Sequence, residues 1–183
     1  MFYGDDSMYG KFDNFPETVQ TWALIAYSSK IHQVQSILIE TLWKLNSNSE
    51  EAVEHISKSS GPVWCRYEVG VADGMCFNFI DEEEVLKLRE KLEGESYKIL
   101  DTLICTSYYY ATKDGKKTKL RSDLQYLRFT FEALDYFEVY VHHFRGPRWM
   151  PLDELIRRIF NRLNDEAKRR RLPLLSIVRL EGH

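Results

Sequence analysis

The stretch Val63-Trp64-Cys65-Arg66-Tyr67-Glu68-Val69-Gly70-Val71-Ala72-Asp73-Gly74-Met75-Cys76-Phe77-Asn78-Phe79 decides how the chain folds. Val63, Cys65, Tyr67, Val69 and Val71 alternate with Trp64, Arg66 and Glu68, a period of two that predicts a strand with one buried face. Asp73-Gly74 tolerates positive φ, so Met75, Phe77 and Phe79 read as the returning arm of a hairpin. Directly after it, Asp81 and Glu84 have the spacing of a helix-opening cap. Val85, Leu88 and Leu92 form the stripe of that helix, and Gly94 is placed to end it.

C-terminal to this unit, Tyr97 to Lys113 and Lys116 to Phe131 flank the turn pair Asp114-Gly115 and predict a long hairpin, with a bulge at Arg121-Ser122-Asp123. Leu127, Phe129 and Phe131 then share an inner face with Val139 and Val141. Pairing about Leu134-Asp135-Tyr136, with opposed positions summing to 270, sets Phe131 opposite Val139 and Phe129 opposite Val141. On the outer face the same register sets Arg128 opposite His142, Thr130 opposite Tyr140 and Glu132 opposite Glu138. Pro151, Asp153 and Glu154 open a last helix with the stripe Leu152, Leu155, Ile156, Ile159, Phe160, Leu163 and Ala167. Pairs Glu154 to Arg158, Asp165 to Arg169 and Glu166 to Arg170 support it, and Pro173 stops it. Leu174 to Leu180 is a final short strand.

N-terminal to the hairpin, Val19, Ala23, Tyr27, Ile31, Val34, Leu38, Leu42 and Leu45 recur at steps of three and four behind Pro16, which predicts a helical segment over residues 16–57. It carries a break at Tyr27-Ser28-Ser29-Lys30, and a short third piece capped by Asn48 and Glu51 runs to Ile56. Ser57 to Pro62 reads as a loop and the candidate linker. The expected class is therefore α+β: an antiparallel sheet made of a hairpin, a three-strand meander and a short C-terminal strand, with about three main helices packed against it. One domain is expected over residues 1–183, with the α+β body at 63–180 and residues 181–183 resembling a tag remnant.

The 183 residues are 44% hydrophobic and 29% charged, enough to bury a core and short of the apolar run of ~20 residues that a membrane span needs. The acidic start Met1-Phe2-Tyr3-Gly4-Asp5-Asp6 is unlike a secretory leader, and Cys65, Cys76 and Cys105 have neither even number nor CxxC spacing. Buried free thiols and a cytoplasmic location are the expectation. The net charge of −3 hides a split: residues 1–100 carry 9 Lys and Arg against 17 Asp and Glu, and residues 101–183 carry 16 against 11. That asymmetry admits an anionic partner or complementary packing between halves or subunits.

Reactive residue types concentrate in His142-His143-Phe144-Arg145-Gly146-Pro147-Arg148-Trp149, at a strand end and the loop after it. There His142 is the candidate base, and Arg128, Arg145 and Arg148 are candidate ligands for carboxylate or phosphate. Neighbouring histidines in a strand point to opposite faces and cannot readily share one ion, and His32 and His55 are isolated, so no metal site is expected. No glycine pattern cradles a phosphate, and no cofactor is expected. Asp81 to Glu84 are explained by the helix start. Glu132 and Glu138, opposed as like charges, form an acid/base candidate.

Two basic runs remain: Lys113, Lys116, Lys117, Lys119 and Arg121 on the long hairpin, and Lys168-Arg169-Arg170-Arg171 at the last helix end. With Tyr108, Tyr109 and Tyr110 beside the first, they form a candidate nucleic-acid surface, of which Lys116, Lys117, Lys119, Arg169 and Arg170 are the phosphate-binding set. Lysines on a hairpin also keep a sheet edge from aggregating, and basic residues suit a helix C-terminus. Aromatic content of 14% without a coherent catalytic set favours a non-catalytic binding or assembly module that self-associates. The alternatives are nucleic-acid binding through the basic segments, and a small enzyme acting on an anionic metabolite near Arg128 and His142.

Overall fold

A computed structural model describes residues 8–46, 50–58 and 61–182. Three helices, α1 (Ile31–Leu45), α2 (Glu82–Gly94) and α3 (Leu152–Arg169), accompany eight strands: β1 (Thr21–Ala26), β2 (Glu51–Lys58), β3 (Gly61–Asp73), β4 (Cys76–Phe79), β5 (Ile99–Ala111), β6 (Lys117–Thr130), β7 (Tyr136–Arg145) and β8 (Ser176–Gly182). The strands form one antiparallel sheet in the order β2-β3-β5-β6-β7-β1-β8, with β4 paired to β3. The class is α+β, as the alternation predicts. No helix among the described residues is long and apolar enough to cross a membrane.

The helices cover one face of the sheet. Val63, Cys65, Tyr67 and Val69 of β3, Leu100 and Ile104 of β5, Leu127 and Phe129 of β6, Val139 and Val141 of β7, and Ala23 and Ile25 of β1 all point there and are buried. Asp81 caps α2 by accepting from the Glu84 N–H at 2.8 Å. The β3–β4 turn has Gly74 at φ 63°, and Asp73 faces Cys76 across it. The Glu154–Arg158 and Glu166–Arg170 pairs of α3 form, but Arg169 bonds Glu166 rather than Asp165.

Four expectations are corrected. Residues after Pro16 do not begin a helix: Thr21–Ala26 is a strand buried between β7 and β8, and α1 starts only at Ile31. The apolar steps of four from Val19 to Tyr27 also fit a period of two, and Thr21, Ala23, Ile25 and Tyr27 are the buried set. The expected third helical piece is strand β2, and Ser57 and Pro62 pair within the β2–β3 hairpin rather than in a linker; the Asn48 cap lies outside the described residues. Glu181 and Gly182 belong to β8, paired with Trp22 and Thr21, while His183 lies outside the described residues. Of the three thiols, all free, Cys65 alone is fully buried; Cys76 is exposed and Cys105 half-buried.

The β6–β7 register also differs. Opposed positions sum to 268, so Arg128 faces Tyr140, Tyr126 faces His142 and Thr130 faces Glu138. Alternation settles which face a residue takes but leaves the offset free by two, and the turn chooses. Phe131 leaves the ladder to pack on Phe137 at 5.1 Å, its N–H bonded to the Lys98 carbonyl at 2.8 Å, which lengthens the connection.

Candidate functional site

On the sheet face away from the helices, the chain before β1 runs as a strap. Phe12 lies over Tyr126 at 5.3 Å and against Phe77 at 4.7 Å, and Phe15 stands 4.1 Å from the Arg128 guanidinium. Beneath them Asp101, fully buried, accepts the Phe12 N–H at 2.8 Å and a two-point bond from Arg128. Arg128 is therefore neutralised and covered rather than open to a ligand. His142 is on the same face, as predicted, but its Nδ1 is 2.7 Å from the Thr18 carbonyl at the strap's end.

Where β5, β6 and β7 end beyond the strap, Asp123 organises the loop after β7. This carboxylate is fully buried on the helix side of the sheet. It accepts the Tyr108 hydroxyl at 2.6 Å, the Arg148 N–H at 2.6 Å, the Trp149 N–H at 3.1 Å, and lies 3.1 Å from His143 Nε2. Burial first, and then the bond to Asp123, push the Tyr108 hydroxyl well above its ordinary pKa. Gly146, at φ 114°, lets the loop pass so close to β6 that an added Cβ would meet the Ser122 carbonyl at 2.3 Å.

That close passage shapes an open groove of about 580 Å³, lined by Cys105, Arg121, Ser122, Leu124, Arg145 and the Gly146-Pro147 turn. Neither the Arg121 nor the Arg145 guanidinium makes a hydrogen bond or ion pair among the described residues. The Ser122 hydroxyl bonds that of Ser107 at 2.9 Å, and Cys105 Sγ is 3.8 Å from the latter. Two unsatisfied cations beside hydroxyl groups suit an anion carrying several acceptor oxygens. A larger groove of about 990 Å³ beside Tyr9 and α2 also contains lysines, but two of them are engaged, Lys91 donating to the Tyr9 carbonyl at 2.6 Å and Lys87 pairing with Glu83 at 3.1 Å, and the carboxylates Glu90 and Glu95 line it beside Lys11 and Lys98.

The four residues proposed as one anion and proton-transfer cluster are thus divided. Arg145 lines the groove, Arg148 sits in the next loop at φ 54°, and Arg128 and His142 are held under the strap. Glu132 lies in the β6–β7 connection and does not oppose Glu138, whose carboxylate instead accepts the Tyr140 hydroxyl at 2.6 Å. Burial and that bond push the Tyr140 hydroxyl up to about 12. Among the described residues no three His, Cys, Asp or Glu side chains gather as metal ligands.

The basic runs separate too. Arg169 and Arg170 are engaged within the helix layer, both with the buried Glu166, and Arg170 also with Ser36 at 2.8 Å. Burial alone would raise Glu166, but hydrogen bonds from Arg169, Lys44 and Arg170 outweigh it and bring the carboxyl to about 2. Lys117 and Arg66 bond Glu50, whose carboxyl the Lys117 bond in particular holds below the usual range. Lys116 and Lys119 are exposed, with no ion pair among the described residues. Sequence reasoning counted Arg121 with the hairpin but did not join it to Arg145, and it missed Ser122 and Cys105. The strand-breaking Arg121-Ser122-Asp123 was the available signal.

No family model matches the chain, and neither a curated protein nor a solved structure matches it.

Proposed function

We propose that the chain is a non-catalytic binding module whose ligand is anionic and seats in the groove between Arg121 and Arg145. One observation carries the reading: two guanidinium groups without a partner among the described residues share one groove with the Ser122 hydroxyl. Most other arginines here are spent on carboxylates, including Arg66, Arg89, Arg128, Arg158, Arg162, Arg169 and Arg170. The histidines nearest the groove in sequence are occupied by Thr18 and Asp123, which favours binding over proton transfer. Calorimetric titration with pyrophosphate tests it. Saturable heat that disappears in Arg121→Gln/Arg145→Gln is the expected result, and the same heat in that double variant ends the reading.

Self-association through β8 is a second reading with its own support. β8 is the last strand in the sheet order, so its outer edge meets no strand among the described residues, and Val178 on it is 61% exposed. Two copies paired antiparallel about a two-fold axis place some residue opposite itself. Centring on Leu180 sets Arg179 opposite Glu181 of the second copy twice, and Val178, at the β8 bulge, opposite Gly182; centring on Arg179 or Glu181 opposes like charges. Light scattering after size exclusion is the test: a dimer is expected, weakened by Arg179→Glu and restored by Arg179→Glu/Glu181→Arg. A monomer at millimolar concentration rejects it.

A further inference from the structure

The ligand of the Arg121–Arg145 groove has a class that the surrounding sheet face narrows, and this rests on the binding reading above. Along β6, towards the hairpin tip, Lys119 is opposite Tyr109 on the face away from the helices, and Ser122, opposite Ser107, follows on that same face. Leu120 and Arg121 separate Lys119 from Ser122 at the β6 bulge, and the partners Tyr109 and Ser107 stand two strand steps apart, about 7 Å. Lys113, Lys116 and Lys119 are exposed and unpaired among the described residues, and Arg121 continues the row into the groove.

On the far side of the groove the surface turns aromatic. Phe144 is the extra residue of the β7 bulge, because Leu124 faces Arg145 while Gln125 faces His143. The bulge throws its ring out to 56% exposure, 5.3 Å from the Tyr126 ring, which in turn lies against His142 and Phe12. An aromatic ring held by its neighbours and open to solvent offers a face on which a base can stack, and it adjoins the unpaired Arg145 in the chain. A carboxylate, Glu68, stands opposite Cys105 in β3 and faces the groove's other flank. Cations therefore lead into the groove from one side, and a stacking platform closes it on the other.

We infer that this face binds single-stranded nucleic acid, with phosphates passing from the hairpin lysines to Arg121 and Arg145 and a base stacking on Phe144. A lone phosphorylated metabolite would use the two arginines but not the lysine row. A duplex keeps its bases in the stack and offers Phe144 no free face. The helix end with Arg169 and Arg170 takes no part, since Glu166 and Ser36 hold it.

The test is fluorescence anisotropy of the whole chain with a labelled 15-nucleotide polythymidylate or polyuridylate strand, at several salt concentrations. Binding should weaken with salt. Arg121→Glu/Arg145→Glu should weaken it ten-fold or more and flatten the slope of log affinity against log salt by about 1.4, since each single-strand phosphate contributes about 0.7. Phe144→Ala, at an exposed position, should cost about five-fold or more while leaving that slope unchanged. Arg169→Glu should bind as the parent does. If pyrophosphate binds the groove but no strand does, the nucleic-acid inference falls and the anion reading stands; if neither binds, both fall. Strand binding indifferent to Phe144→Ala and to Arg121→Glu/Arg145→Glu also overturns the inference.

Discussion

Asp101 and Arg128 face each other across β5 and β6 in a two-point ion pair, with Nε to Oδ1 at 2.8 Å and Nη2 to Oδ2 at 2.7 Å. The carboxylate is completely buried, and the strap backbone at Phe12 both donates to it and lies 3.4 Å from the guanidinium. The pair is thus the fastening of the strap to the sheet.

Removing the cation should release that fastening. Arg128→Ala leaves Asp101 buried without its main partner, a change that costs about 3 kcal/mol in comparable settings. Urea unfolding should show the loss, and limited proteolysis should cut the strap over residues 8–20 faster than in the parent. Unchanged proteolysis would show that the aromatic contacts of Phe12 and Phe15 hold the strap unaided.

Asp123→Asn should be severe for a different reason. The carboxylate oxygens receive the Tyr108 hydroxyl and two backbone N–H groups, and an amide must turn a donor towards at least one of them. A loss of about 2 to 3 kcal/mol is expected, read as a lower melting temperature. Pyrophosphate heat should fall with it, because the loop that walls the groove is no longer held.

Glycine to alanine substitutions give a graded control. Gly146→Ala combines positive φ with a Cβ 2.3 Å from the Ser122 carbonyl, so it should cost well above the ~1 kcal/mol of a strained but roomy site. Gly115→Ala, at φ 74° with open space around it, should cost only about that ~1 kcal/mol. Paired denaturation curves check the order, and equal effects would mean that the β7 loop yields.

Acid should expose the helix-layer network. Glu166 has its carboxyl lowered in the folded chain from 4.5 to about 2, so the unfolded state binds the proton first. Its stabilisation is full above about pH 4.5 and is lost as pH falls towards about 2, a contribution on the order of 3 kcal/mol. Glu166→Gln should remove part of the acid dependence of unfolding between pH 5 and pH 2, measured by urea titration at each pH.

Elements whose signals lie close together in the chain were legible. The β3–β4 turn and the α2 cap depend on Asp73-Gly74 and Asp81 with Glu84, and both formed as read. β1 was not, because apolar residues four apart at Val19, Ala23 and Tyr27 satisfy helix and strand alike, and its two partners lie more than a hundred residues away. The face of Arg128 and His142 followed from parity, whereas their offset depended on where Phe131 turned into the core. The groove was partly visible as Arg145 in its loop. Its other half was hidden because Arg121 reaches it only through the approach that Gly146 and Asp123 permit.

The position of β1 between β7 and β8 also bears on how the protein is made. During synthesis from the N-terminus, Thr21–Ala26 emerges early, yet neither neighbour exists until residues 136–145 and then 176–182 have followed. An alternating strand left unmatched for that interval is a template for pairing with other nascent chains. The closing step of folding joins distant parts of the polypeptide, so slow refolding and a benefit from chaperones during translation are built into the strand order.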